Sequence, residues 1–179
     1  LRQNESISVV ESDSITGQYL MVLPGGADYA LYVTNPTYLF QSLHFNYLQT
    51  DEVQPVIKDV GLIPIEKNAS VILNNLFFDV DKYELKQSSI TELNEVIRFL
   101  LLNPSIKIEI SGHTDNSGDE SHNQQLSLKR AFAVAEYLKN QGIEPDRITQ
   151  KGYGSQRPLR PNNTDENRQY NRRIEFRIL

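Results

Sequence analysis

The residues that could do chemistry fall in a few short stretches of this chain. Asp79 and Asp81 stand two apart, a carboxylate pair of the kind that shares acid and base roles in glycoside hydrolysis. No nucleophile or oxyanion motif accompanies them, which disfavours a hydrolase. His113 and Asp115 lie in the polar run Gly112 to Gly118, with His122 beyond it, and raise a metal or general-base reading. With three His and no Cys in the whole chain, a structural role for His113 is favoured. Arg172 and Arg173 form a basic pair, but beside Asn171 and Glu175 they are too few and too mixed for a polyanion surface. Asp115 and Arg130 stay open at this level. Asp115 is either a loop carboxylate bonding nearby amides or part of a ligand site, and Arg130 either pairs with Glu136 on a helix surface or serves that site.

Composition narrows the classes. The 179 residues are 39% apolar and 23% charged, which suits a packed soluble protein of one domain and part of a second. A net charge of −5 argues against nucleic acid as partner. No apolar run approaches the roughly 18–20 residues that span a bilayer, so no transmembrane segment is expected. Leu1 follows no basic, apolar leader, and the chain reads as a piece of a longer exported protein.

These residues must be positioned by two kinds of segment. Up to about Asn68, short strands are expected at Ile7 to Val10, Tyr19 to Leu23, Tyr29 to Thr34, Tyr38 to Phe45 and Val56 to Ile65. They are separated by turn signals such as Pro24-Gly25-Gly26 and Asn35-Pro36. Residues 1–68 thus read as a small, incomplete β-sandwich, and residues 69–179 as a second unit in which strands alternate with helices.

In the second unit, Val71 to Phe78 is a near-continuous apolar run that predicts a strand inside a sheet. Ser89 and Glu92 have capping-box spacing ahead of a helix with Ile90, Leu93, Ile97 and Leu100 on one face. Ile106, Ile108 and Ile110 alternate as a strand. A helix from Ser121 to Gln141 follows, with Leu128, Ala131, Ala135 and Leu138 on its stripe and Gly142 at its end. Strands from Arg147 to Tyr153 and through Ile174, Phe176 and Ile178 flank a loop or short helix near Thr164 to Tyr170. The expected fold class is α+β, a βαβαβ(α)β mixed sheet with its helices on one face. Asn123, Ser127 and Arg130, four and three residues apart, would share one face of the second helix.

Several pieces in this order are specific. Gly112-His113-Thr114-Asp115, Asn123, Leu126-Ser127, Arg130-Ala131, Gly152-Tyr153-Gly154 and Asn171-Arg172-Arg173-Ile174-Glu175-Phe176 resemble the OmpA-like peptidoglycan-binding family, as does Phe77-Phe78-Asp79-Val80-Asp81-Lys82 upstream. The resemblance covers about the last 110 residues. It implies non-catalytic binding of a peptidoglycan stem peptide through diaminopimelate, without cofactor or metal. Asp115 would accept from the ligand ammonium and Arg130 would grip its carboxylate in a bidentate fork. Ser117 or Asn123 would complete the hydrogen-bond shell, with Asp81, Arg172 and the apolar Leu126 beside the same groove.

The first unit resembles the later half of a carboxypeptidase-regulatory-like sandwich, from Tyr19-Leu20-Met21-Val22-Leu23-Pro24 and Tyr29-Ala30-Leu31. The combination is similar to the PorE-type lipoproteins of type IX secretion. That implies a periplasmic place at the outer membrane and secretion-machine proteins as partners. An interaction scaffold with a vestigial wall site is the alternative.

Overall fold

Strict alternation in the last strand decides which side of the sheet becomes the core. In the computed structural model, which describes residues 8–47 and 56–179, Ile174, Phe176 and Ile178 are buried on one face while Glu175 and Arg177 take the other. The elements of this unit are β5 (Ser70–Ile72), α1 (Ile90–Leu102), β6 (Ile108–Gly112), α2 (Glu120–Asn140), β7 (Ile148–Gly152), α3 (Asp165–Asn171) and β8 (Ile174–Ile178). Ahead of them come β1 (Asp28–Val33), β2 (Tyr38–Leu39), β3 (Gln41–Asn46) and β4 (Ile63–Pro64). The main sheet has the order β5-β8-β6-β7, with β6 and β7 parallel and the other pairs antiparallel. The expected mixed α+β sheet is therefore present.

Helices α1 and α2 cover the apolar face. Leu93, Val96 and Leu100 from α1 meet Ala131, Val134, Ala135 and Leu138 from α2 over Ile108, Ile110 and Phe176. The seat of α2 is set by two glycines paired across the parallel strands, Gly112 and Gly152. A Cβ on Gly112 would overlap the Ser127 carbonyl, and one on Gly152 would overlap the Leu128 amide and the Ser127 hydroxyl. The helix backbone can thus rest on the strand ends only because neither residue has a side chain. Ser127 Oγ then accepts from the Gly154 amide at 2.9 Å, and Gln124 Nε2 donates to the Gly152 carbonyl at 2.6 Å.

Helix ends are secured by side chains. Asp119 accepts from the His122 amide at the start of α2, and Gly142 leaves its end in a left-handed turn at φ 93°. At the end of α1, the buried Arg147 donates to the carbonyls of Leu100, Asn103 and Ile106, where the helix dipole favours a cation. Asn171 is fully buried and uses both ends of its amide to hold the 159–162 loop.

On the opposite face of the sheet, Glu109 is only 2% exposed yet ionised. Burial works to raise its pKa, but Lys151 at 2.8 Å, the Tyr153 hydroxyl at 3.0 Å and Arg177 at 3.0 Å outweigh it and hold the carboxyl at about 2.

The chain before residue 69 is simpler than its patterning suggests. Among the described residues it forms an antiparallel pair β1–β3 and a short pair β2–β4. The expected strand Tyr19 to Leu23 has no ladder, and Val56 to Ile65 contributes only Ile63–Pro64. Of Ile7 to Val10, Ile7 lies outside the described residues and the rest is not strand. Leu39 and Phe40 instead enter the core of the following unit, where the Phe40, Phe99 and Phe176 rings lie 5.6–6.4 Å apart.

Three further expectations change. The strand expected over Val71 to Phe78 stops at Ile72 and lies at the sheet edge, because the side-chain amides of Asn74 and Asn75 turn to donate to the Ser42 and Leu43 carbonyls of β3. Ser89 and Glu92 form no capping box. Ser89 Oγ bonds the amide and carbonyl of Phe77, and Glu92 is fully buried against Ser42 and Asn75. Leu128 is exposed, because the buried stripe of α2 runs through its neighbour Ser127 to Ala131, Val134, Ala135 and Leu138.

Two outcomes follow. Gly152→Ala should cost about 1–3 kcal/mol in urea unfolding through overpacking against α2. Glu109→Gln should lower stability at neutral pH. Because the Glu109 pKa falls from 4.5 to about 2 on folding, its contribution is full above pH 4.5 and is lost as pH drops towards 2. Thermal melts of wild type and variant should therefore converge over that interval.

Candidate functional site

The loop between β6 and α2 is pinned on both sides before it reaches Asp115. His113 donates its amide to the Arg173 carbonyl at 3.0 Å, and Thr114 donates to Gly154 at 2.9 Å. Asp115 is therefore presented from a fixed backbone. Its Oδ1 accepts from the Ser117 amide at 2.8 Å, and its Oδ2 from Arg172 Nη1 at 2.5 Å. Burial would raise its pKa, but Arg172 and Ser117 together hold the carboxyl below the ordinary aspartate value of 3.8. Asn123 straps the loop from α2, donating to the carbonyls of Ser117 at 2.9 Å and Asp115 at 3.4 Å.

Two turns further along α2, Arg130 is 8% exposed. Its Nε donates to the Lys82 carbonyl at 2.8 Å and its Nη2 to the Asp79 carbonyl at 3.1 Å, while the guanidinium lies 4.9 Å from the centre of the Phe78 ring. Among the described residues Arg130 makes no salt bridge. Carbonyls satisfy its N–H geometry without cancelling its charge. Burial pushes the guanidinium below its ordinary value, Asp81 opposes that shift, Arg172 adds to it, and Asp115 opposes it. The four groups therefore share one electrostatic neighbourhood.

The far wall is the 76–82 segment. Leu76 and Phe78 line a small cleft with Arg130, Arg172, Arg173 and Ile174. Beyond Phe78 the chain turns, with Asp81 in the left-handed region at φ 58° and its carboxylate 2.6 Å from His122 Nε2 on α2. Asp79 pairs with Lys86 at 2.5 Å. The two carboxylates thus face different partners.

Sequence reasoning expected Asp115 and Arg130 to face each other as a clamp. In the structure the ion pair to Asp115 is Arg172, and Arg130 stands at the same cleft bound to the loop opposite. Ser117 and Asn123 are spent on shaping the Asp115 loop. Leu126 is half-buried and does not line the cleft. Phe78, Leu76 and the carbonyls of Asp79 and Lys82 were missed, because apolar residues and main-chain acceptors carry no chemical signature. Only the adjacency of Phe78 to the Asp79-Val80-Asp81 turn hinted at them.

His113 is buried and stacked on Tyr153 with ring centres 5.3 Å apart. Burial, with Arg173 and Arg157 nearby, pushes its ring down to about 3, so the imidazole is neutral at ordinary pH. Among the described residues no group of three or more His, Asp or Glu is placed to hold a metal ion. A wider cleft, lined by Tyr38, Phe40, Phe99 and Leu102, lies beside the end of α1 and offers no convergent charges beyond Glu95 and Arg98.

This geometry has relatives. A 101-residue stretch is 40% identical to outer membrane porin F of Pseudomonas fluorescens, covering 56% of this chain and 31% of that one. Another of 84 residues is 43% identical to the peptidoglycan-binding protein ArfA of Mycobacterium bovis, covering 47% and 26%. The crystal structure of the peptidoglycan-associated lipoprotein from Burkholderia pseudomallei superposes with a TM-score of 0.54 at 26% identity, covering 58% of this chain and 88% of that one. The chain spans 16–31% of the length of the longer curated relatives it matches. The OmpA family model matches residues 77–172, from the cleft wall at Phe77 to the Arg172 that pairs with Asp115, and the chain belongs to that family.

Proposed function

We propose that this chain binds peptidoglycan non-covalently through the diaminopimelate of a stem peptide, anchoring a periplasmic or outer-membrane assembly to the cell wall. The observation that carries the reading is Arg130, a buried guanidinium that makes no salt bridge among the described residues, at one cleft with Arg172, whose own partner is Asp115. A ligand end bearing both an ammonium and a carboxylate complements that set. In the free protein Arg172 supplies the positive charge that Asp115 requires. An incoming ammonium takes over that role, and the ligand carboxylate compensates the guanidiniums, so no charge is left buried and unpaired. Nothing in this exchange makes or breaks a covalent bond, and the module acts as an anchor rather than an enzyme. The names of the ArfA protein and of the Burkholderia lipoprotein support peptidoglycan as the ligand, and that of porin F supports a place at the outer membrane.

A second reading, a protein-interaction scaffold whose partners include secretion-machine proteins of the type IX kind, is favoured by one observation. Ile15, Leu20, Val22 and Ile57 are exposed by 80–92% in the part of the chain that precedes the sheet. Co-sedimentation with purified wall sacculi separates the two, since a vestigial cleft leaves the protein in the supernatant.

Calorimetry with a muramyl tripeptide ending in diaminopimelate should show binding that falls about 100-fold or more in Asp115→Ala and in Arg130→Ala, each of which strands a buried charge. Unchanged affinity in either variant overturns the clamp. The matching lysine tripeptide lacks the second carboxylate and should bind at least about tenfold more weakly. Because Asp115 in the free protein stays ionised down to below pH 3.8, wild-type affinity should hold through mildly acid pH and fall only beneath that value.

A further inference from the structure

The cleft wall takes its support from the part of the chain that the family match leaves out. β5 ends at Ile72, and after the Leu73 amide bonds Ile174 no strand ladder holds the chain until α1 begins at Ile90. Asn74 and Asn75 are instead fastened to β3, and Phe77 to Ser89, whose Oγ bonds its amide and its carbonyl. The Asn74 amide donates to Ser42 Oγ at 3.3 Å, and Asn74 Nδ2 to the Ser42 carbonyl at 2.7 Å. Asn75 donates to Glu92 Oε2 at 3.0 Å and to the Leu43 carbonyl at 3.5 Å, while its Oδ1 lies 3.2 Å from His44 Nδ1. The His44 ring meets Phe77 edge-on at 5.7 Å. Behind these contacts Ser42 Oγ donates to Glu92 Oε1 at 2.5 Å, and Ser42 and Glu92 are both fully buried.

Directly after this fastening come Leu76 and Phe78, which line the cleft, and then the Asp79 and Lys82 carbonyls that Arg130 holds. The wall is thus a short bridge held by β3 and Ser89 at one end and by Arg130 at the other. We propose that the β1–β3 pair is a positioning element of the binding site, with Asn75 as its key residue, so that seating of the pair and occupation of the cleft are thermodynamically coupled. The ligand half of this statement rests on the peptidoglycan reading; the positioning half does not. Coupling is reciprocal: if the pair orders the wall for the ligand, the ligand must tighten the pair. A partner engaging β1–β3 would then alter the hold on the wall without touching the cleft.

The test is hydrogen exchange on the full chain, without and with the diaminopimelate muramyl tripeptide, in wild type and in Asn75→Ala at a temperature where circular dichroism shows both folded. Without ligand, Asn75→Ala should speed exchange several-fold across residues 76–82 and leave β6 and β7 unchanged. Equal rates at 76–82 would overturn the positioning role, whatever the ligand. With ligand, wild type should gain protection in 41–46 as well as around 113–130, and Asn75→Ala should bind about five- to tenfold more weakly. Protection confined to 113–130 together with unchanged affinity would overturn the coupling. No binding by wild type, with faster exchange at 76–82 still seen in Asn75→Ala, would refute the peptidoglycan reading alone and leave the positioning role standing. If Asn75→Ala does not fold, Asn74→Ala, which removes an exposed side chain's bond to Ser42, serves for the same comparison.

Discussion

Everything at the site depends on how closely α2 lies on the ends of β6 and β7. Gly112 and Gly152 are register partners, and together they remove the side chains that would otherwise lift Ser127 and Leu128 off the sheet. That contact fixes the height of α2, and with it the position of Arg130 one turn beyond Ser127. It also fixes Asp115, because the loop carrying it leaves Gly112 directly and is stitched to Gly154, whose own amide is held by Ser127. One close approach of backbone to backbone therefore sets both charged groups, with sheet, loop and helix packed together around them.

The buried arginines show how such a body tolerates charge. Arg147 and Arg130 both take main-chain carbonyls as acceptors, which meets their hydrogen-bond demand without pairing their charge. At Arg147 that charge faces the negative end of α1 and is useful where it is. At Arg130 no salt bridge is formed among the described residues, and Asp81 and Asp115 offset its burial only at a distance. Glu109 is the contrasting case, closed off by Lys151 and Arg177 on a face remote from the helices. Burial alone does not mark a site; an unbalanced charge at the mouth of a cleft does.

Legibility in the sequence followed the range of the interaction. Ile174, Phe176 and Ile178 announced a half-buried strand, and Gly142 announced the end of α2, because both signals are local. Ser89 and Glu92 also carried a local signal, and it misled: Glu92 is claimed by Ser42 and Asn75, and burial of the carboxylate against those partners wins over a cap worth about 1 kcal/mol. Asn74 and Asn75 within an apolar run were the trace of that tertiary demand, since a strand offers polar amides no reason to be there. Asp115 and Arg130 were found through their resemblance to a family pattern rather than through spacing. The Asp115–Arg172 pair joins residues 57 apart, and no periodicity can place them together.

The boundary drawn near Asn68 separates two compositions, but the packing does not respect it. Phe40 shares a ring cluster with Phe99 and Phe176, and Ser42 is sealed against Glu92, so the β1–β3 pair is bound to the later unit by both apolar and polar contacts. Polar seals of this kind are demanding: Glu92 is raised in pKa by its burial, with Ser42, Asn75 and Tyr32 opposing the shift, and losing any one partner leaves the others without water to replace it. An apolar patch alone would let the pair slide, whereas directional bonds to Ser42, Leu43 and His44 admit one register. The same bonds that fix that register lead straight into Leu76 and Phe78. Residues 74–78 are thus hydrogen-bonded to β3 at one end and covalently continuous with the wall that Arg130 holds at the other.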